Sequence, residues 1–69
     1  MSTIRITVNG TVQDVEQGRT VRDLLEQLEI PPRNIAIERN DEFLPPEKAL
    51  DTVLGDGDKI ELVRFVGGG

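Results

Sequence analysis

The residues of this sequence best suited to chemistry are its last three, Gly67, Gly68 and Gly69, which follow an apolar segment. Glycine has no Cβ, so a glycine tail can enter a slot that is too narrow for any other residue. Three extended residues reach about 10 Å, which is enough to bring a terminal carboxylate into the active site of another protein. Ordering such a tail costs about 1–2 kcal/mol per residue, so the receiving site must supply backbone hydrogen bonds. The pattern indicates Gly69 as the reacting residue, with Gly67 and Gly68 threading the partner's active site.

The chemistry open to a terminal carboxylate begins with its activation. A carboxylate resists nucleophiles because its charge repels them and oxide is a poor leaving group, and an acyl adenylate removes both obstacles. Attack by sulfide or a persulfide would then leave a terminal thiocarboxylate. In this scheme the catalytic groups belong to partner enzymes, the activating partner uses ATP, and the chain itself binds no cofactor. The alternative for the glycines alone is a frayed end or a cloning remnant, since Gly-rich ends are common flexible segments.

Other candidates for a reactive site are few. Ser2 cannot be activated by a histidine or cysteine, because the sequence contains neither residue. Asp56 and Asp58 could bind a metal or act as acid and base, but a calcium loop needs a longer series of ligands that ends in glutamate. We expect both aspartates to belong to a solvated turn held by side-chain bonds to its own backbone. The sequence therefore predicts no catalytic residue and no metal site.

The composition restricts the classes of function. The chain has 69 residues, which is enough for one domain and leaves little room for a deep catalytic pocket. Its formal charge of −5 argues against nucleic acid or an anionic membrane surface as a partner, since both are bound through Lys and Arg. A strand-like pattern begins directly after Met1 with no apolar signal segment, so we expect a cytoplasmic protein.

Apolar and polar residues alternate near the start of the chain, which predicts a strand whose buried face holds Ile4, Ile6 and Val8. Asn9-Gly10 comes next and predicts a tight hairpin, because both residues accept a positive φ. The return strand is expected from Thr11 to Glu16. Val12 and Val15 have opposite parity in that strand, so its register stays open, and a bulge between them would bring both to one face.

A helix is expected after this hairpin. Thr20 is a suitable N-cap, and Asp23 three residues later completes a weak capping box. One apolar stripe has the helical spacing i, i+3, i+4 and i+7, and it consists of Val21, Leu24, Leu25 and Leu28. Arg22 and Glu26 lie on the polar side at the spacing of an ion pair. Pro31-Pro32 is expected to end the helix, because proline cannot continue it.

The second half of the sequence has the pattern of short strands and turns: a strand at 35–37, a turn at 40–41, a strand at 43–44, a helical turn at 47–50, a turn at 55–58 and a last strand at 59–66. A helix with one apolar stripe can cover one face of a single sheet. The last strand can lie beside the first, joined by a crossover through the helix. The sequence therefore predicts an α+β chain of the β-grasp (ubiquitin-like) type, with a mixed sheet of four to five strands and one main helix on one face. The domain would span residues 1–66, followed by a flexible glycine tail at 67–69.

The last strand becomes apolar on both faces as it approaches the tail. One face holds Ile60 and Leu62, and the other holds Val63 and Phe65. If the first face turns to the helix, Val63 and Phe65 form an exposed apolar patch at the base of the tail. Such a patch suits a docking surface, and we place Val66 in the same partner interface. The alternative is that residues 43–46 cover the patch as part of the core.

Several segments of the chain, taken together, resemble one known family: the Asn9-Gly10 hairpin, the helix TVRDLLEQL at 20–28, the strand IAIERN at 35–40 and the run DGDKIELVRFVGGG at 56–69. The last run is the most specific, because it joins turn, strand and tail. Over its whole length the sequence resembles the ThiS family, the sulfur carriers of thiamine thiazole synthesis. The family pattern requires a terminal Gly-Gly, and a third glycine also suits it.

The resemblance implies a specific course for the tail chemistry. A ThiF-like adenylyltransferase would convert Gly69 into a glycyl adenylate with ATP. A cysteine desulfurase or another persulfide donor would supply the sulfur that makes it 1-thioglycine. The thiocarboxylate would then give its sulfur to a ThiG-like thiazole synthase. On this basis we expect a carrier protein on which partner enzymes act, and not an enzyme.

Three alternatives remain open at this stage. The first is another thiocarboxylate carrier, of the type of the small subunit of molybdopterin synthase. The second is a ubiquitin-like modifier that forms isopeptide bonds to lysines. The third is a β-grasp interaction module without tail chemistry.

Overall fold

The computed structural model describes residues 2–65 of the chain. Its elements are, in order, β1 (Thr3–Val8), β2 (Thr11–Glu16), α1 (Val21–Gln27), β3 (Ile35–Arg39), β4 (Glu42–Leu44), α2 (Pro46–Ala49) and β5 (Lys59–Arg64). Val66 and the glycines of the tail lie outside the described residues, and so does the predicted boundary between domain and tail.

Strands β1 and β2 form the predicted hairpin. Asn9 and Gly10 connect them with φ angles of 49° and 84°, the left-handed values that this dipeptide accepts readily. The register that the sequence left open contains no bulge, because it runs without interruption from Thr3 opposite Glu16 to Val8 opposite Thr11. Val15 is therefore buried, while Val12 lies on the opposite face of the sheet and is 57% exposed.

The five strands form one mixed sheet in the order β2-β1-β5-β3-β4. β5 runs parallel to β1 and antiparallel to β3, so the last strand of the chain lies in the centre of the sheet beside the first. A parallel neighbour requires a crossover connection, and α1 lies within it. The predicted β-grasp arrangement with one main helix is confirmed.

The start of α1 follows the predicted capping box. The Thr20 hydroxyl accepts a hydrogen bond from the Asp23 backbone N–H at 3.3 Å, and the Asp23 carboxylate accepts one from the Thr20 N–H at 3.0 Å. Two backbone donors that the first turn leaves free are thereby satisfied. Arg22 does not follow the prediction, since its guanidinium pairs with Asp51 at 3.2 Å instead of with Glu26.

Helix α1 ends several residues before Pro31-Pro32, so the prolines do not end it as predicted. Glu29 adopts a left-handed conformation with a φ of 58°. The Ile30 N–H donates to the Leu25 carbonyl at 2.8 Å, and the Glu29 N–H donates to the Glu26 carbonyl at 3.1 Å. These two bonds form a Schellman motif, which ends the helix at Gln27 through backbone geometry alone.

A single core lies between α1 and one face of the sheet, here called the inner face. The fully buried side chains with the largest volumes are Ile6, Leu24, Leu25, Ile60 and Val21. They include three members of the predicted helix stripe and Ile60, which pairs with Val8 between β5 and β1. The other face of the sheet, the outer face, is not covered by α1.

Candidate functional site

The described chain reaches its C-terminal end at β5, so the residues around that end form the candidate site. Ile60 is fully buried on the inner face, whereas Val63 and Phe65 are 48% and 56% exposed. The alternative in which residues 43–46 cover them is wrong, because both side chains remain exposed. The predicted exposure of the patch is confirmed, and its role in partner binding stays a prediction.

Ala36 extends the patch across the sheet. It pairs with Val63 in the antiparallel β3–β5 ladder, so their side chains lie side by side on the outer face. We call Ala36, Val63 and Phe65 the tail-base patch. Val66, which was also predicted for the interface, and Gly67, Gly68 and Gly69 lie outside the described residues.

The sheet is only two strands wide at this end. β1 pairs with β5 only at Lys59 and Ile60, and β4 pairs with β3 no further than Ile37. The pairs beyond these points join β3 and β5 alone, ending with Arg64 opposite Ile35. The Phe65 N–H then donates to the Asn34 carbonyl at 2.7 Å. The described chain therefore ends in a two-stranded ribbon.

Acidic side chains lie next to the tail-base patch. Glu38 and Glu61 stand opposite each other two positions along the β3–β5 ladder, in the next pair on the same face of the sheet. The Lys59 ammonium lies at 3.2 Å from Asp41 and 3.6 Å from Glu61. The hydrogen bond that Asp41 accepts, and then the charges of Asp41 and Glu61, raise the pKa of Lys59.

Three of these carboxylates could hold a metal ion by distance alone, since oxygens of Glu38, Asp41 and Glu61 lie within 4.8 Å of one another. The Lys59 ammonium already supplies a cation to two of them. All three side chains are at least partly open to water, where exposed acidic groups commonly occur without a metal. The group therefore needs no metal ion to account for it.

The turn before β5 differs from the prediction at Asp58. This residue is 6% exposed rather than solvated. Its carboxylate accepts hydrogen bonds from the Gly55 N–H at 2.7 Å and the Asn40 side chain at 3.1 Å, and it pairs with Arg39 at 3.2 Å. Asp56 is exposed and accepts a bond from the Arg5 N–H at 2.9 Å. Both aspartates hold backbone in place, which is a structural role.

The residue that the sequence interpretation missed is Asn9. Its side-chain amide contacts both backbone polar atoms of Leu62 in β5, at 2.8 and 3.3 Å. The hairpin accounts for an Asn-Gly pair by itself, so the sequence contained no separate signal for this second contact. Within residues 2–65, no helix is long and apolar enough to cross a membrane.

Comparison with known proteins relates this geometry to a family. The ThiS family model matches residues 4–69, which covers both the β-grasp domain and the glycine tail. The chain belongs to the ThiS family. Among its relatives is the sulfur carrier protein ThiS of Escherichia coli, which is 32% identical over 66 residues, a match that covers 96% of this chain and 100% of the relative.

A solved structure in the same family has the same fold. The crystal structure of the thiamine biosynthesis protein ThiS from Geobacter metallireducens superimposes with a TM-score of 0.78 at 33% sequence identity. The match covers 96% of this ThiS-family chain and 100% of that structure.

A third relative is much longer. A thiazole synthase from Paramagnetospirillum magneticum is 36% identical over 66 residues, which is 96% of this chain. The chain spans only 20% of the length of that thiazole synthase. A ThiS-like segment therefore occurs within a polypeptide that is named for thiazole synthesis.

Proposed function

We propose that this ThiS-family chain is a sulfur carrier in thiamine biosynthesis and that its reacting group is the carboxylate of Gly69. The observation that supports this most is the family match, which extends from β1 through Gly69. The Escherichia coli relative that aligns over its whole length is named a sulfur carrier protein. The fold also supports the proposal that the chain acts through its C-terminus. Its last strand lies in the centre of the sheet, so the segment that leads to the C-terminus begins from well-paired backbone.

The chemistry requires two steps on the Gly69 carboxylate. In the first, the carboxylate oxygen attacks the α-phosphorus of ATP and releases pyrophosphate, which gives the glycyl adenylate. In the second, sulfide attacks the acyl carbon and AMP leaves, so that a thiocarboxylate remains. If the donor is a persulfide, its terminal sulfur attacks, an acyl disulfide forms, and a thiol must cleave the S–S bond to release the thiocarboxylate. This chain supplies none of the catalytic groups, so it acts as a co-substrate and not as an enzyme.

The partners follow from these steps. A ThiF-like adenylyltransferase would activate the tail with ATP, and a cysteine desulfurase or another persulfide donor would supply sulfur. A ThiG-like thiazole synthase would accept it. The long relative supports this last partner, because a ThiS-like segment joined to a thiazole synthase in one polypeptide brings carrier and acceptor together.

The tail-base patch is the surface on which we expect these enzymes to dock. Val63 and Phe65 are exposed apolar side chains directly before the tail. Interfaces between two proteins commonly have an apolar centre and a polar rim. Glu38 and Glu61 lie beside the patch, so a complementary partner surface would have basic residues around an apolar centre.

The test is ATP-dependent activation by a ThiF-like adenylyltransferase, followed as exchange of labelled pyrophosphate into ATP. The wild-type chain should support exchange, whereas Gly68→Val should abolish it because a branched side chain cannot enter a slot shaped for glycine. A chain with one alanine added after Gly69 should also fail, because the reacting carboxylate is then displaced.

The thermal unfolding midpoint of both variants should stay within about 2 °C of the wild-type value, since the changes lie outside the domain predicted at 1–66. Full exchange with Gly68→Val would refute the narrow slot. Full exchange with the extended chain would refute Gly69 as the reacting residue.

A further inference from the structure

Asn9 makes contacts that its turn does not require. Its backbone N–H donates to the Ile60 carbonyl at 2.9 Å. Its side-chain Oδ1 accepts a hydrogen bond from the Leu62 N–H at 2.8 Å, and its Nδ2 donates to the Leu62 carbonyl at 3.3 Å. Asn9 therefore binds the edge of β5 that faces β1 at two positions, Ile60 and Leu62.

The Asn9 amide takes the place of a missing strand. β1 ends at Val8, where the chain turns away from β5. The amide group has the same donor and acceptor as a peptide unit, so it satisfies Leu62 as one more residue of β1 would. Without it, the β1 side of Leu62 would have no partner in the sheet.

This contact lies at the point where the sheet narrows. Beyond Leu62, β5 is paired with β3 alone through Val63 and Arg64, and the tail follows. A two-stranded ribbon is marginally stable in water. Support at Leu62 therefore limits fraying of the segment that holds both the tail-base patch and the origin of the tail.

We propose that Asn9 is a positioning residue for the C-terminal tail: its amide braces β5 at Leu62, so that the ribbon is already ordered when the activating enzyme binds. This inference rests on the proposed function. An enzyme that binds a frayed ribbon must order it on binding, and that cost weakens association. The amide affects binding to the activating enzyme and not the chemical step. Its loss should therefore raise KM and leave kcat unaltered.

Asn40 provides a matched control within the same chain. It also occupies the first position of a tight hairpin turn, with a φ of 52°. Its amide also holds β5, accepting from the Lys59 N–H at 2.9 Å and donating to Asp58 at 3.1 Å. These hydrogen bonds lie at the start of β5, at the opposite end of the strand from the C-terminus.

The variants are chosen to keep the turn. Glycine accepts the positive φ of the position, so Asn9→Gly and Asn40→Gly preserve the hairpins and remove only the amides. Asn9→Asp keeps an acceptor for the Leu62 N–H but sets a carboxylate oxygen against the Leu62 carbonyl. It should therefore lose the brace while keeping the shape of the side chain.

The experiment measures KM and kcat for the full chain in ATP-dependent activation by the adenylyltransferase, together with hydrogen exchange of the Phe65 amide. Asn9→Gly and Asn9→Asp should raise KM about fivefold at unchanged kcat, a size expected for the loss of one hydrogen-bonded contact. Exchange at Phe65 should become faster, although this amide donates to Asn34 and not to Asn9. Asn40→Gly should lower the unfolding midpoint and leave KM unchanged.

The two proposals fail in different ways. An unchanged KM for Asn9→Gly, or an equal rise for Asn9→Gly and Asn40→Gly, would overturn the positioning role alone. A wild-type chain that the adenylyltransferase never activates would overturn the proposed function, and the positioning role with it.

Discussion

Val63 of β5 stands directly opposite Ala36 of β3, and both side chains lie on the sheet face that α1 leaves uncovered. This pair belongs to the two-stranded end of the sheet, the last paired region before the tail. The small alanine leaves the valine accessible, so that Val63 is 48% exposed. An apolar surface therefore lies at the C-terminal end of the described residues.

The first prediction concerns this surface. Val63→Ala should raise the KM for ATP-dependent activation about fivefold, because interface residues that matter cost more than about 1 kcal/mol when truncated. The free energy of unfolding should change by less than about 0.5 kcal/mol, since the side chain is exposed. Steady-state activation kinetics and urea denaturation measure the two quantities.

Val12→Ala is the matched control. Val12 is also a valine on the outer face and is 57% exposed, but it lies on the edge strand β2. Its truncation should leave KM unchanged. Equal effects of the two substitutions would show that the tail-base patch has no special part in docking.

The second prediction concerns Asp58. Asp58→Ala should lower the free energy of unfolding by about 2–4 kcal/mol, because it leaves Arg39 and the Gly55 N–H without their buried partner. Asp51→Ala, which removes an exposed partner of Arg22, should cost less than about 0.5 kcal/mol. Urea denaturation of both variants checks this, and similar losses for the two would contradict a special role for the buried carboxylate.

The third prediction concerns the C-terminus of α1. Glu29→Gly should stabilise the protein by about 0.5–1 kcal/mol, because glycine adopts the left-handed conformation at this position without the steric cost of a Cβ. Glu26→Gly, three residues earlier within the helix, should instead destabilise it by about 1 kcal/mol. Thermal unfolding measures both, and a loss of stability in Glu29→Gly would contradict the assigned Schellman motif.

The fourth prediction is a dependence on pH. The Thr20 backbone N–H, which donates to the Asp23 carboxylate, lowers the pKa of Asp23 in the folded state. A carboxyl group with a lowered folded pKa stabilises the protein above its ordinary pKa, and this contribution is lost as the pH falls through the folded value. The stability difference between the wild type and Asp23→Asn should therefore be largest at neutral pH and decrease as the pH falls below the ordinary pKa of an aspartate. A difference that stays constant between pH 7 and acid would contradict the ionised capping box.

Local patterns predicted most of the fold. The alternation at Ile4 and Ile6 and the helical stripe from Val21 to Leu25 each bury one face, and the buried residues are the predicted ones. Two tight turns, at Asn9-Gly10 and Asn40-Asp41, also follow from residues that accept a positive φ. Periodicity and turn chemistry depend on a few neighbouring residues, so a single sequence contains them.

The features that the sequence did not predict depend on how distant parts of the chain come together in the sheet. Val12 needs no bulge, because an apolar residue on an edge strand can stay exposed at little cost. Asp58 is buried because β3 and β5 are neighbours, which brings Arg39 and Asn40 to its carboxylate. The Asn9–Leu62 contact likewise joins residues 53 positions apart. None of these features follows from residue spacing.

The most direct test of the sulfur-carrier account is the mass of the intact chain after incubation with ATP, the adenylyltransferase and a sulfide source. The account predicts a gain equal to one sulfur minus one oxygen, located in a C-terminal fragment that contains Gly69. Fragmentation is essential, because oxidation of Met1, the single methionine, adds nearly the same mass at the other end. A chain that stays at its original mass while pyrophosphate is released, or that gains mass only at Met1, would contradict the account.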